Sequence, residues 1–255
     1  PNPPRRIKSV QTASDILRAV QHLSKPTFMD LRGEVDITKG TLHTYLETLR
    51  EEGFIAKSDG TYRLEFRCLT MGESVRNETD LYHAGREEVE NLAEETGEWV
   101  HLTVAYRGQE ITIHESSGEQ AIGTDYHLRT RELPQYPHHT ATGKAMLADV
   151  RRDLVEKIID DQGLVEKTDK TITDRDELFE RLERVRERGV AFDDEARLVG
   201  LRCVAKPIVN KEGEVEGAIS ISGPTSRFQD ERYRTELPKK LESAANVIEL
   251  NINYT

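Results

Sequence analysis

The chain has 255 residues, of which 33% are charged, and a formal net charge of −11; that charged share exceeds the ~25% of ordinary globular domains. It has no run of about 18 apolar residues, so no membrane span is expected, and Pro1 to Val10 is basic without the apolar core of a secretory signal. Two distant cysteines, Cys68 and Cys203, cannot make a disulfide framework and suit a reducing cytoplasm.

A basic arm of Arg5, Arg6 and Lys8 follows Pro3-Pro4, which disfavours regular structure. From Ser9 to Leu23, Val10, Ala13, Ile16, Leu17, Val20 and Leu23 recur at helical spacing, and Pro26 ends that helix. Thr27 caps a short second helix around Phe28, Leu31 and Val35. After the tight turn Asp36-Ile37-Thr38, a third helix runs from Lys39 to Glu52, with Thr38 as its N-cap and Gly53 just past its end. The period then changes to alternation. Phe54–Lys57 and Thr61–Leu64 flank Ser58-Asp59-Gly60, a strong hairpin signal.

Three helices, the third after a tight turn, and then a hairpin make a winged helix-turn-helix, in which helix three enters the DNA major groove. Thr38, Lys39, Gly40, Thr41, His43 and Thr44 sit at the start and on the solvent side of that helix. Its free amides suit a phosphate, Gly40 permits close approach, and Lys39, Thr41, His43 and Thr44 can reach base edges. Lys57 and Arg63 place cations on the wing. The alternative is a winged helix used only for protein contacts. Residues 1–72 carry net +2 and residues 73–255 net −13. That layout suits a regulator touching nucleic acid at one end, though so small an offset also fits sampling noise.

The remaining elements alternate between helices and hairpins. Residues 66–77 form a short amphipathic helix with Phe66, Leu69 and Val75, and Glu78 to Thr96 a longer one ended by Gly97. These two helices are the expected contact surface of a dimer, because one reading helix seldom suffices for specific DNA binding. Trp99–Tyr106 and Glu110–Glu115 make a hairpin, with Trp99, like Tyr62 on the wing, as a core anchor. Helices follow from near Thr140 to Val150, at Leu154–Asp161 and at Asp174–Arg188. Arg202–Val209 and Val215–Ser222 form a second hairpin, and a last helix covers about Gln229 to Asn251. The pattern predicts an α+β domain with an antiparallel sheet rather than a Rossmann layout.

Ser220 and Ser222 alternate with Ile219 and Ile221, so both hydroxyls share one strand face. A polar face lining a ligand cavity and a solvent-facing edge explain this equally well. Thr140 and Ala141 open a helix whose amides could hold a carboxylate. Cys203 has no base beside it in sequence and reads as a small wall residue rather than a nucleophile. His138-His139, with His101, His114 and His127 elsewhere, raises a metal site. Adjacent histidines in an extended loop point apart, and neither Cys-x-x-Cys nor His-x-x-x-His occurs, so neither metal nor cofactor is expected. No Gly-x-Ser-x-Gly elbow supports the rival reading as a hydrolase, and no catalytic residue is assigned. A DNA-binding oligomer without a ligand is a second rival.

The chain resembles the isocitrate lyase regulator (IclR) family over about residues 8–252. The strings that carry this are Ile37 to Leu46, Leu49 to Ile55 and Asp59 to Leu64 in the first part. In the second they are Leu92 to Glu98, Thr140 to Ala148, Asp193-Asp194-Glu195, Gly200 to Ile208 and Ala218 to Pro224, all in order. The resemblance implies a winged helix-turn-helix over residues 1–65, a linker helix over 66–77 and a GAF-like effector-binding and oligomerisation domain over 78–255. It also implies a cytoplasmic homodimer or homotetramer that binds double-stranded operator DNA and answers to a small organic acid. It tips Ser220 and Ser222 toward the pocket, with Thr140, Ala141, Asp193, Leu201 and Cys203 around the same effector. Two departures stand out: Thr44 replaces a longer residue, and extra residues separate Leu133-Pro134 from His138-His139 in a loop that lines the family's pocket.

Overall fold

The computed structural model describes residues 6–123 and 135–254. Arg5, His127 and Glu132 to Pro134, singled out above, lie outside the described residues. Contacts divide the chain into two units, Pro1–Glu78 and Thr79–Thr255.

In the first unit, α1 (Lys8–His22), α2 (Phe28–Glu34) and α3 (Lys39–Glu51) precede a hairpin of β1 (Ile55–Ser58) and β2 (Thr61–Leu64). Thr27 closes a full capping box with Asp30, and Thr38 accepts from the Thr41 amide. Asp59 (φ 51°) and Gly60 (φ 79°) are both left-handed, which a two-residue hairpin turn of the primed type requires. Ile16, Leu31, Leu42, Leu46, Ile55 and Tyr62 pack into one core. Helix α4 (Phe66–Asn77) completes the unit and buries no residue of its own.

The second unit is built on five antiparallel strands. Their order is β4 (Gln109–Ser117), β3 (Trp99–Tyr106), β7 (Val215–Pro224), β6 (Leu201–Val209) and β5 (Ala191–Asp194). One face carries Val100, Leu102, Val204, Ile219 and Ile221, buried under α5 (Asp80–Thr96) and the C-terminal helix α9 (Leu237–Tyr254). On the other face, Ala205 and Ala218 are small enough to admit α6 (Ala141–Ala148). Two more helices, α7 (Arg152–Gln162) and α8 (Arg175–Arg188), build a satellite core around Val155, Leu178 and Leu182. No helix among the described residues is long and apolar enough to cross a membrane.

The structure departs from the sequence reading in four places. Strand β5 was not foreseen. The last helix opens with a π-helical stretch, Arg232–Glu236, in which Tyr233 is buried. His138 and His139 sit in a turn rather than an extended loop; their rings meet at 5.1 Å and both are buried. Finally, α5 spends its apolar face, Leu81, Val89, Leu92 and Ala93, on its own sheet. Of the two helices expected to offer an oligomer surface, only α4 keeps its apolar side chains exposed.

Candidate functional site

The eight residues expected to meet DNA are all exposed in the first unit. At the start of α3 the hydroxyls of Thr38 and Thr41 lie 2.8 Å apart, and Thr44 donates back to the Gly40 carbonyl at 3.1 Å. These threonines shape the helix end, while Lys39 and His43 project freely into solvent. The wing separates its two cations. Lys57 faces Tyr62 across the hairpin and lies 5.2 Å over its ring, whereas Arg63 faces Ala56 on the opposite side. Arg63 is paired with Glu65 at 3.3 Å. Glu47 is held below the usual carboxylate range, chiefly by a hydrogen bond from Arg50, and His43 and Lys57 add to the pull. Lys57 therefore shares a surface with α3 that Arg63 does not.

In the second unit, the sheet face opposite the large core becomes polar beyond α6. The register sets Asp193 opposite Cys203, Cys203 opposite Ser222, and Ser220 opposite His101, and residues paired across antiparallel strands share a face. A cavity opens there, and Thr140, Ala141, Asp193, Leu201, Cys203, Ser220 and Ser222 all line it. The structure thus brings together every residue assigned to this pocket from the sequence.

Strand-period reading missed several lining residues. Glu110 on β4 is fully buried and accepts from the Thr140 hydroxyl at one oxygen and the Thr142 hydroxyl at the other. The hydroxyl of Thr140 also accepts the Gly143 amide at 3.0 Å. Both threonine side chains are therefore engaged within the protein, which leaves the leading amides of α6 as the donors at that end. Among the described residues Arg197, in the loop between β5 and β6, is the arginine of the lining, and Glu115 lies 3.8 Å from His101.

Burial sets the charge states. It pushes Glu110 and Asp193 up from ordinary carboxylates, opposed at Glu110 by the two threonine hydroxyls and at Asp193 by Lys144 and the Ala196 amide. Burial pulls Lys144 down, opposed chiefly by Asp193. The Cys203 thiol is raised to about 11 by burial, with Ser222 donating to its sulfur at 3.2 Å. A thiol held protonated is a wall, not a nucleophile. No three metal-binding side chains gather among the described residues.

A family model, Bacterial transcriptional regulator IclR C-terminal, matches residues 73–250. The chain belongs to the IclR family. It is 38% identical over 250 residues to a Halobacterium salinarum protein named "Probable HTH-type transcriptional regulator ArcR", covering 98% of this chain and 95% of that one. The Thermotoga maritima IclR structure superposes with a TM-score of 0.70 at 25% identity, over 98% of this chain and 100% of that one. An IclR homologue from Microbacterium hydrocarbonoxydans, complexed with 4-hydroxybenzoate, has a TM-score of 0.80 at 19% identity, over 96% and 99%. This IclR chain is therefore a transcriptional regulator, in a family of regulators rather than enzymes.

Proposed function

We propose that this regulator reads operator DNA with α3 and the wing, and that a small organic acid in the second unit's cavity changes that binding. Residues 1–65 are then the DNA-binding part, 66–77 the joining helix and 78–255 the effector-binding part. The observation that carries the reading is the convergence of hydroxyls, helix-opening amides and Arg197 on one cavity of an otherwise apolar sheet. The 4-hydroxybenzoate held by a protein of the same fold supports a small acid as the class.

The working form is a homodimer or a homotetramer. Helix α4 exposes Phe66, Leu69, Met71 and Val75, and a second copy of the chain would cover them. Selection from a pool of random duplexes should return two symmetric half-sites, about 10–10.5 base pairs or a multiple apart. Variants at Thr41 or His43 should change the preferred bases by about 1–3 kcal/mol per good contact. A single asymmetric half-site, or an unchanged motif in both variants, counts against the reading.

Salt dependence distinguishes the wing cations. Lys39→Ala and Lys57→Ala should each flatten the slope of log affinity against log salt by ~0.9, weakening all sequences alike. Arg63→Ala should change it less, because Arg63 faces away from Lys57 and is paired with Glu65. The reverse ranking, measured by fluorescence anisotropy, would remove Lys57 from the interface.

A further inference from the structure

An acid stands on the face that α3 keeps free of its own core. Lys39, His43 and Glu47 follow one another at four-residue spacing and form a single ridge along the helix, while Leu42, Leu46 and Leu49 are buried on the other side. The wing borders this ridge. Lys57 and His43 both lie close enough to Glu47 to help hold its carboxylate ionised, behind the hydrogen bond from Arg50. Arg50 spends Nε, at 3.2 Å, and Nη2, at 2.6 Å, on one oxygen, Glu47 Oε2. The other oxygen, Oε1, accepts no hydrogen bond among the described residues. So the carboxylate is fixed by one oxygen and offers the second. An exposed ion pair three residues apart adds little to a helix. A negative charge brought up to phosphates, by contrast, is repelled. A donor on the DNA would offset that repulsion.

Resting on the reading of α3 as the helix that enters the major groove, we propose that Glu47 is a specificity-determining residue and that it selects cytosine. The groove edges of the four bases decide which one suits it. Guanine presents two acceptors, N7 and O6, and thymine an acceptor and a methyl group, so neither can donate. Adenine offers its N6 amino group but sets the N7 acceptor beside it. Cytosine offers the N4 amino group with no acceptor next to it on its own ring. An ionised carboxylate has no proton to give, so cytosine fits it best. Glu47 Oε1 accepts from N4, and Arg50 is a positioning residue that holds Oε2 and keeps a cation beside the acid. An amide in the same place would carry an acceptor and a donor together, the match for N6 and N7 of adenine.

Glu47→Gln keeps the size and adds that donor. Glu47 and Arg50 are both partly exposed, so variants at either should fold. Selection from random duplexes with the full chain should return cytosine at one position of each half-site for the parent, and adenine there for Glu47→Gln. By fluorescence anisotropy the parent should favour its cytosine duplex over the adenine one by about ten-fold, and the variant should reverse the order. Glu47→Ala should discriminate among the four bases there by less than about three-fold, yet bind random duplex more tightly, because a negative charge has left the interface. Arg50→Met should keep cytosine but shrink the preference. If it keeps the full preference, Arg50 does not position Glu47. The same motif from the parent and Glu47→Gln, while Thr41 or His43 variants shift theirs, overturns the proposal and leaves α3 as the reader. A Glu47→Ala chain that gains random affinity but keeps the parent's base preference overturns it too, since Glu47 then only repels phosphate. A parent that selects no sequence at all would overturn both the proposal and the reading beneath it.

Discussion

Replacing His139 with leucine is expected to stabilise the second unit, and more so as the pH falls. The ring is 1% exposed, and neither nitrogen has a hydrogen-bond partner among the described residues. An unsatisfied buried polar group costs about 1–3 kcal/mol, which leucine removes. Burial, helped by His138 and the nearby cations Arg197, Lys144 and Lys167, also pulls the His139 pKa from 6.5 to about 3. A histidine with a depressed folded pKa contributes stability that is complete above pH 6.5 and is lost as pH falls toward 3. Each unit of that window is worth up to ~1.4 kcal/mol, so about 2–3 kcal/mol is gone near pH 4.5. His139→Leu should abolish this component. Glu110 and Asp193 act in the opposite sense: with raised pKa values, they favour folding in acid and lose that contribution as pH rises through their folded pKa values. The difference between variant and parent isolates the histidine. Thermal melts from pH 7 to pH 4 should diverge by several degrees at ~2–4 °C per kcal/mol. Curves that stay parallel would mean that His139 is not held neutral.

The second large effect is expected at Gly143. A Cβ there would lie 2.3 Å from both the Cα and the carbonyl oxygen of Pro137, and 2.6 Å from Glu110 Oε1. Two of those atoms are backbone, so the turn through Pro137 or the start of α6 must shift. Overpacking of this kind costs about 1–3 kcal/mol. The shift would also misplace the amides of Ala141 and Thr142 and the Glu110 clasp. Gly143→Ala should therefore lower the melting temperature of the second unit and weaken effector binding at least ten-fold, or about 1.4 kcal/mol. The first unit has its own core and should melt as before. A variant that melts and binds like the parent would show that the helix start tolerates movement.

Local chemistry made much of this molecule legible. The Thr27 and Thr38 caps, the Asp59-Gly60 turn and the bounds Phe66–Asn77 follow from capping, turn and period rules that act within a few residues. The seven pocket residues were reachable because period two separates Ser220 and Ser222 from Ile219 and Ile221, and because a family resemblance tied that strand to distant strings. Strand β5 escaped because Ala191-Phe192-Asp193-Asp194 is short and ends in two acids. Glu110 looks in sequence like the solvent side of an alternating hairpin; only α6, arriving from thirty residues later, buries it. Glu115 is hidden by a bulge. The register slips between Leu102 and Thr103, so Glu110 and Thr112 share the pocket face with Glu115, an odd-numbered neighbour. Nothing in the local pattern announces that change of parity. The difference between Lys57 and Arg63 is likewise set by pairing that their composition does not show. Both are basic and on the wing, yet the hairpin register sends them to different faces.

The most direct test of the central claim joins the cavity to DNA. The affinity for a selected duplex would be measured with and without a saturating acid effector, in the parent and in the double variant Ser220→Ala, Ser222→Ala. Both changes remove volume and should leave the fold nearly intact. Two hydroxyls are lost from the polar face, one of them, Ser222, the donor to the Cys203 sulfur, which should cost about 1–3 kcal/mol in effector binding. The parent should change its DNA affinity about five-fold or more, the scale of a coupling of ~1 kcal/mol. At the same acid concentration the double variant should bind the duplex as the effector-free parent does. A double variant that keeps the full response would contradict the account, because the acid would then be acting from somewhere other than the polar face of this sheet.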